Sequence, residues 1–203
     1  MAAGEDGGVW LNGEDASHSW IDFVAGLEDY VVTEVVDNDE RTKSIFPHCL
    51  NTIRLVTMTE TKTAEPFIGA AVHRFGVRET IPTDNWSGGG ICCRIDLDTG
   101  VMGPGVRHPR NTDGVLEWHS RHPDTGEGLE GVQVPRWDEV KATLLGLCKK
   151  VPFIKYAGWD LAVTTTGIQV VECNPTCDLD LIQIHGPLLE GDRARGFFSH
   201  PKP

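Results

Sequence analysis

Three oxygen-bearing side chains, Asp160, Glu172 and Asn174, lie in the stretch YAGWDLAVTTTGIQVVECNPTCDLDLIQ (156–183) at a spacing that implies a chemistry. Residues 158–164 alternate as a strand does, 165–167 (Thr-Thr-Gly) supply a three-residue turn with glycine where a positive φ is wanted, and 168–174 alternate again. A β-hairpin is predicted. If Thr164 faces Ile168, counting outward sets Asp160 opposite Glu172, with Asn174 two residues further along on the same face. Facing carboxylates on neighbouring strands have Cβ atoms roughly 4.5–5.5 Å apart and destabilise a sheet unless something neutralises them. Two carboxylates and an amide oxygen, without sulfur or imidazole, suit a hard cation such as Mg²⁺ (or Mn²⁺) and leave coordination positions for phosphate oxygens. The plainer alternative is a solvent-facing hairpin. Against it stands the other face, which Trp159, Leu161, Val163, Val171 and Cys173 are expected to fill.

Other elements must bring partners to that face. LNTIRLVTM (50–58) reads as a strand carrying Arg54, with Thr52 and Val56 as its alternate neighbours. FIGAAVHRF (67–75) reads as the next, carrying Arg74. An arginine projecting into a metal–phosphate site would stabilise charge developing on a transferred phosphoryl group through its planar fork, so Arg54 and Arg74 are the catalytic candidates. DNWSGGGI (84–91) follows Asn85 closely with three glycines, and the amides around Gly88 and Gly89 could approach an anion. IDLDTGVM predicts a hairpin with DTG as its turn. Helices are expected over 18–27, with Ser17 as N-cap, and over 138–147, where Val140, Leu144 and Leu147 share a side. Asp178 and Asp180 stand where a further helix would start. They either complement its dipole or draw an amine to an acceptor pocket.

The hairpin resembles the metal-binding end of the ATP-grasp ligases, whose pattern is an Asp, a hairpin and then Glu-x-Asn. LNTIRLVTM, DNWSGGGI, IDLDTG (95–100), HPDTG (122–126), VPRW (134–137), GWDLAVT (158–164) and ECNP (172–175) occur in an order similar to that of the sugar-transfer associated, glutamate-ligase-related branch, from about Asn12 to the C-terminus. The resemblance implies that Asn85 precedes the Gly-Gly of a loop covering the nucleotide. It also implies that strand 30–36 leads into a hinge where Glu34 lies beside the adenine. On its own, Glu34 reads equally as a glutamate facing water.

Composition sets limits. The chain has 203 residues, 39% of them hydrophobic and 24% charged, which is ordinary for a globular protein. A formal net charge of −12 argues against a nucleic-acid partner or docking on anionic lipid. No apolar run approaches the length of a membrane span and MAAGEDGG has no signal-peptide character, so no membrane insertion and a cytoplasmic address are expected. Six cysteines, at 49, 92, 93, 148, 173 and 177, show no paired Cys-x-x-Cys spacing. Cys173 and Cys177 with His119 and His122 are the material for a zinc alternative, disfavoured because Cys173 should point away from Glu172.

These readings converge on an α/β (α+β) fold of the ATP-grasp second-lobe type, a largely antiparallel sheet with helices packed on one face. Residues 1–11 and 191–203 are expected to be loose and 12–190 to form the domain. In the resembled family a first lobe brings a lysine and a phosphate loop ahead of the hinge. Residues 1–29 contain no lysine, so the chain is expected to be the C-terminal portion, completed by a separate N-terminal lobe or a homo-oligomer. The function expected from the resemblance is an ATP- and Mg-dependent carboxylate–amine (or carboxylate–thiol) ligase working through an acyl phosphate, with a role in cell-surface polysaccharide assembly. Its partners would be ATP and small-molecule carboxylate and amine substrates. A non-catalytic Mg-nucleotide-binding or assembly module is the competing reading.

Overall fold

The computed structural model describes residues 34–199 throughout and, before them, residues 2–3, 9–11, 14–15, 25–26 and 28–29. The chain divides into two units, residues 1–35 and residues 36–203. In the first, β1 (Ala2–Ala3), β2 (Val9–Leu11) and β3 (Glu14–Asp15) form an antiparallel sheet in that order. Residues expected to be loose thus supply two of its strands. The predicted helix over 18–27 lies mostly outside the described residues, as do residues 30–33 of the predicted strand 30–36, and residues 34–36 are not in a strand.

The second unit is an antiparallel sheet of seven strands in the order β10-β9-β4-β5-β6-β7-β8. Its members are β4 (Ile53–Thr59), β5 (Pro66–Phe75), β6 (Ile91–Ile95), β7 (Met102–Arg107), β8 (Trp118–His119), β9 (Tyr156–Val163) and β10 (Ile168–Asn174). The α+β class expected from the sequence is what the chain forms, with its helices divided between the two faces instead of gathered on one. Helix α2 (Trp137–Lys150) lays Trp137, Val140, Leu144 and Cys148 on Leu55, Phe75, Ile91, Trp159 and Leu161. On the opposite face Leu181 and Ile182 of the one-turn α3 (Asp180–Gln183), Leu188, and Ala194 of α4 (Asp192–Ser199) cover Val56, Val72, Cys92 and Val106. Strands covered on both sides lose the apolar–polar alternation, as six consecutive buried residues in β4 show. Among the described residues no helix is long and apolar enough to cross a membrane.

Two short helices escape the sequence reading. Residues 37–48 read as a polar connector, yet Asp39 caps α1 (Glu40–Ile45) by accepting a hydrogen bond from the Thr42 amide at 2.8 Å. The segment from 191, read as loose because of its breakers, forms α4, where Phe197 stacks on Tyr156 at 6.1 Å between ring centroids. Packing overrides local propensity there.

The hairpin β9–β10 contains a correction. Pairing starts at Val163↔Ile168, one step from the expected Thr164↔Ile168, across a four-residue turn closed by the Thr164 amide on Gly167 O at 2.9 Å. A bulge between Val170 and Glu172 then restores the register, so that Glu172 does face Asp160 and Asn174 faces Gly158. Val171 absorbs the extra residue and is 47% exposed, while Val170 packs inward where Val171 was expected.

Burial also makes the fold sensitive to acid. His73 is 2% exposed and stacked on Phe75, and burial holds its pKa down at about 4; burial, reinforced by Arg94, does the same to His185. Both are neutral in the folded chain at a pH where the unfolded chain takes up protons. The stability they contribute is complete above about pH 6.5 and is lost as pH falls toward 4, by roughly 3 kcal/mol for one shift of this size. Burial raises the pKa of Asp84, which opposes the trend in the same interval. The comparison is therefore made by difference: urea midpoints of wild type should fall more steeply between pH 7 and 4.5 than those of His73→Phe. Parallel curves would show that His73 is not the group responsible.

Candidate functional site

On the face covered by α3 and α4, neighbouring strands bring charged side chains into register. Arg54 on β4 lies directly opposite Asp160 on β9, and Arg74 lies two residues beyond Val72, the β5 partner of Arg54. Asp160 is 3% exposed, and both of its oxygens are engaged. Arg54 Nε donates to Oδ1, Arg54 Nη2 to Oδ2 at 2.9 Å and Arg74 Nη2 to Oδ2 at 3.0 Å. Burial alone would lower the pKa of Arg54, but the hydrogen bond and charge of Asp160 outweigh it and the pKa is raised. Gly158 makes this arrangement possible: a Cβ there would meet Cys177 Cβ at 2.5 Å and the Arg54 stem at 3.1 Å.

Behind Arg74 stands a second anchor. Its Nη2 and Nε donate to Thr52 Oγ1 at 2.5 and 3.1 Å, and Nε lies 3.3 Å from Asp84 Oδ2. Asp84 opens the glycine loop, in which Asn85 Oδ1 accepts from the Ser87 amide and hydroxyl at 3.2 and 2.9 Å. The Gly88, Gly89 and Gly90 amides donate to Asn85 O, Trp86 O and Asn85 O. The anion cradle expected from Gly88 and Gly89 is therefore not formed by their amides, which are used inside the turn. Glycine is required for other reasons: Gly89 has φ +122°, and a Cβ on Gly90 would lie 3.0 Å from three carbonyl oxygens.

Arg54, Arg74, Asn85, Trp86, Ser87, Asp178, Asp180 and Leu181 line one cleft of about 160 Å³. Five of these were candidates on sequence. Trp86 and Ser87 were missed although they follow Asn85 directly, and so were Thr52 and Asp84; Thr52 shares a strand face with Arg54 by the period of two, which was the available signal. A larger cleft of about 290 Å³, between 69–72, 94–98 and 186–191, contains no candidate residue, and its cation Arg94 shares it with three carboxylates. Chemistry favours the smaller one. Glu34 belongs to the other unit, where it is exposed outside any strand.

The three proposed metal donors differ in availability. Among the described residues the side chains of Glu172 and Asn174, on the face of Asp160, make no hydrogen bond or ion pair, whereas Asp160 has three of its roughly four lone-pair sites taken by guanidinium N–H groups. By type, two carboxylates and an amide oxygen suit a hard divalent cation; Asp178 and Asp180 line the cleft with the two arginines, and the charge of Glu172 acts on Arg54. The zinc set does not assemble. His122 is buried with Nε2 2.7 Å from Gly76 O, Cys173 packs into the α2-side core, and Cys177 Sγ lies 3.3 Å from the Tyr156 hydroxyl. Among the described residues no group of three or more His, Cys, Asp or Glu is placed to hold a metal.

Comparison with known families finds a match to the model described as sugar-transfer associated ATP-grasp, over residues 21–193. No curated protein and no solved structure matches.

The geometry separates two carboxylates that look alike in sequence. Asp160→Ala leaves one buried guanidinium and one partly buried one short of their shared partner and should cost about 3–5 kcal/mol. Glu172→Gln, on an exposed side chain without partners, should stay within about 0.5 kcal/mol of wild type. Urea unfolding at pH 7 measures both. Equal effects would contradict the assignment of Asp160 as the buried counter-ion.

Proposed function

Because the chain belongs to the sugar-transfer associated ATP-grasp family, a family of ATP-dependent ligase type, we propose that it serves an ATP- and Mg-dependent carboxylate–amine (or carboxylate–thiol) ligation through an acyl phosphate. The observation that carries this reading is the convergence of Arg54, Arg74, Asn85, Asp178 and Asp180 on one cleft. At about 160 Å³ it is smaller than the roughly 300–1,000 Å³ of pockets that enclose a whole drug-sized ligand. It suits the reacting end, a phosphoryl group with the acceptor atoms beside it.

In the proposed reaction the substrate carboxylate attacks the γ-phosphorus of ATP, ADP leaves, and the amine then displaces phosphate from the acyl phosphate as it loses a proton. Arg54 and Arg74 would orient the phosphoryl oxygens and offset their charge. Asp178 and Asp180, both exposed, would attract the acceptor as an ammonium ion. Glu172, Asn174 and the remaining lone pair of Asp160 would hold a magnesium ion, which would supply neutralisation of the phosphate charge. None of these steps calls for a covalent nucleophile from the protein. A sugar-transfer association suits cell-surface polysaccharide assembly as the setting.

A second reading is a non-catalytic nucleotide-binding module, favoured by the engagement of Asp160 with arginine. Calorimetric titration of Mg²⁺-ATP into the chain tests the pair. Binding that needs Mg²⁺ and weakens at least about tenfold in Glu172→Gln is expected. ADP release in the presence of mixed carboxylates and amines would support the ligase, and binding without turnover the module. A folded wild-type chain that binds no nucleotide would overturn both.

A further inference from the structure

Two arginines meet at Asp160, but they are not held alike. Among the described residues, every hydrogen bond of the Arg54 side chain goes to Asp160. Arg74 gives only one to Asp160, from Nη2 to Oδ2, and is otherwise bound from behind by Thr52 Oγ1 and by its ion pair with Asp84. Thr52 is itself fixed: its amide and hydroxyl both donate to Asp84 Oδ2, at 2.9 and 2.5 Å. Asp84 is 8% exposed and Thr52 4%, so this anchor is shielded from competing water. A hydroxyl that donates to a carboxylate becomes a better acceptor, and bonds from a guanidinium are among the stronger ones available. Removing Asp160 therefore leaves Arg54 without a hydrogen-bond partner and Arg74 still held by Thr52 and Asp84.

We infer that Asp84, acting both directly on Arg74 and through Thr52, is a positioning residue that keeps Arg74 fixed in the cleft independently of Asp160, so that Arg54 is the guanidinium released when another anion competes for Asp160's place. Resting on the ligase reading, this division gives the cleft one fixed and one movable anion donor. Arg74 sets where a phosphoryl group lodges. Arg54 exchanges the Asp160 carboxylate for the incoming oxygens.

Hydrogen exchange of the arginine Nε–H groups, followed by ¹⁵N NMR on the full chain without nucleotide, reads the two anchors separately. In Asp160→Asn the exchange of Arg54 should accelerate at least about tenfold while that of Arg74 changes little. In Thr52→Val the pattern should invert, and Thr52→Ser, which restores the hydroxyl, should recover Arg74 protection. Asp84→Asn should loosen Arg74 as Thr52→Val does. Equal acceleration of both arginines in either single variant would overturn the inference, as would an unchanged Arg74 in Thr52→Val. If Asp160→Asn does not fold, the Thr52→Val and Thr52→Ser pair decides alone. No nucleotide is present, so failure to bind ATP would remove the ligase reading and leave this result standing.

Discussion

The carboxylate of Asp160, clasped between the guanidiniums of Arg54 and Arg74 on a strand covered on both faces, is the interaction on which the rest of the site depends. Two cations on adjacent strands, one buried and one partly so, would repel each other and lose much of their hydration. One carboxylate placed between them by register, and a second, Asp84, behind Arg74, make the cluster neutral. Several features serve that placement. Gly158 leaves room for the Arg54 stem, and the six-residue pairing of β4 with β9 sets Arg54 against Asp160. The bulge at Val171 brings Glu172 alongside, outside the cluster. An ion pair of this kind adds little net stability over a well-packed apolar core, but breaking it is expensive, which makes its geometry strict.

Charge is distributed in two zones as a result. The interior cluster balances, while Glu172, Asp178 and Asp180 are exposed and form no ion pair with the arginines of the cleft, Glu172 acting on Arg54 by its charge alone. A phosphate entering alone would meet this acidic fringe, and a cation entering alone would meet the guanidiniums. A phosphate with its divalent cation satisfies both zones. That joint requirement gives a physical basis for the ATP- and Mg-dependence proposed for this member of the sugar-transfer associated ATP-grasp family.

How much of this was legible in the sequence depended on range. The Asp160–Glu172 pairing was readable from the period of two, helped by a cancellation: the turn is one residue longer than assumed and the bulge takes back the step, at the cost of misplacing Val171. Arg54 and Arg74 were readable as candidates from strand pattern and motif order, but their lock on Asp160 was not, because it joins residues 106 and 86 positions apart. Composition cannot show that. The glycine loop misled for a different reason: three glycines permit an open anion cradle and an internally bonded turn equally, and only the hydrogen bonds of Asn85 and Trp86 distinguish them. Helix α4 was missed because its breakers outweigh its propensity until Tyr156 and the sheet provide a surface to pack on.

The measurement that most directly tests the account is paramagnetic broadening of side-chain NMR signals by Mn²⁺ as a substitute for Mg²⁺, recorded with and without ATP. The account predicts that, with ATP present, the Asn174 amide and the Nε–H groups of Arg54 and Arg74 broaden first, because cation and phosphate occupy the hairpin and the cleft together. Selective broadening elsewhere, for example around Asp96 and Asp98 at the larger cleft, with Asn174 and the two arginines unaffected, would contradict it.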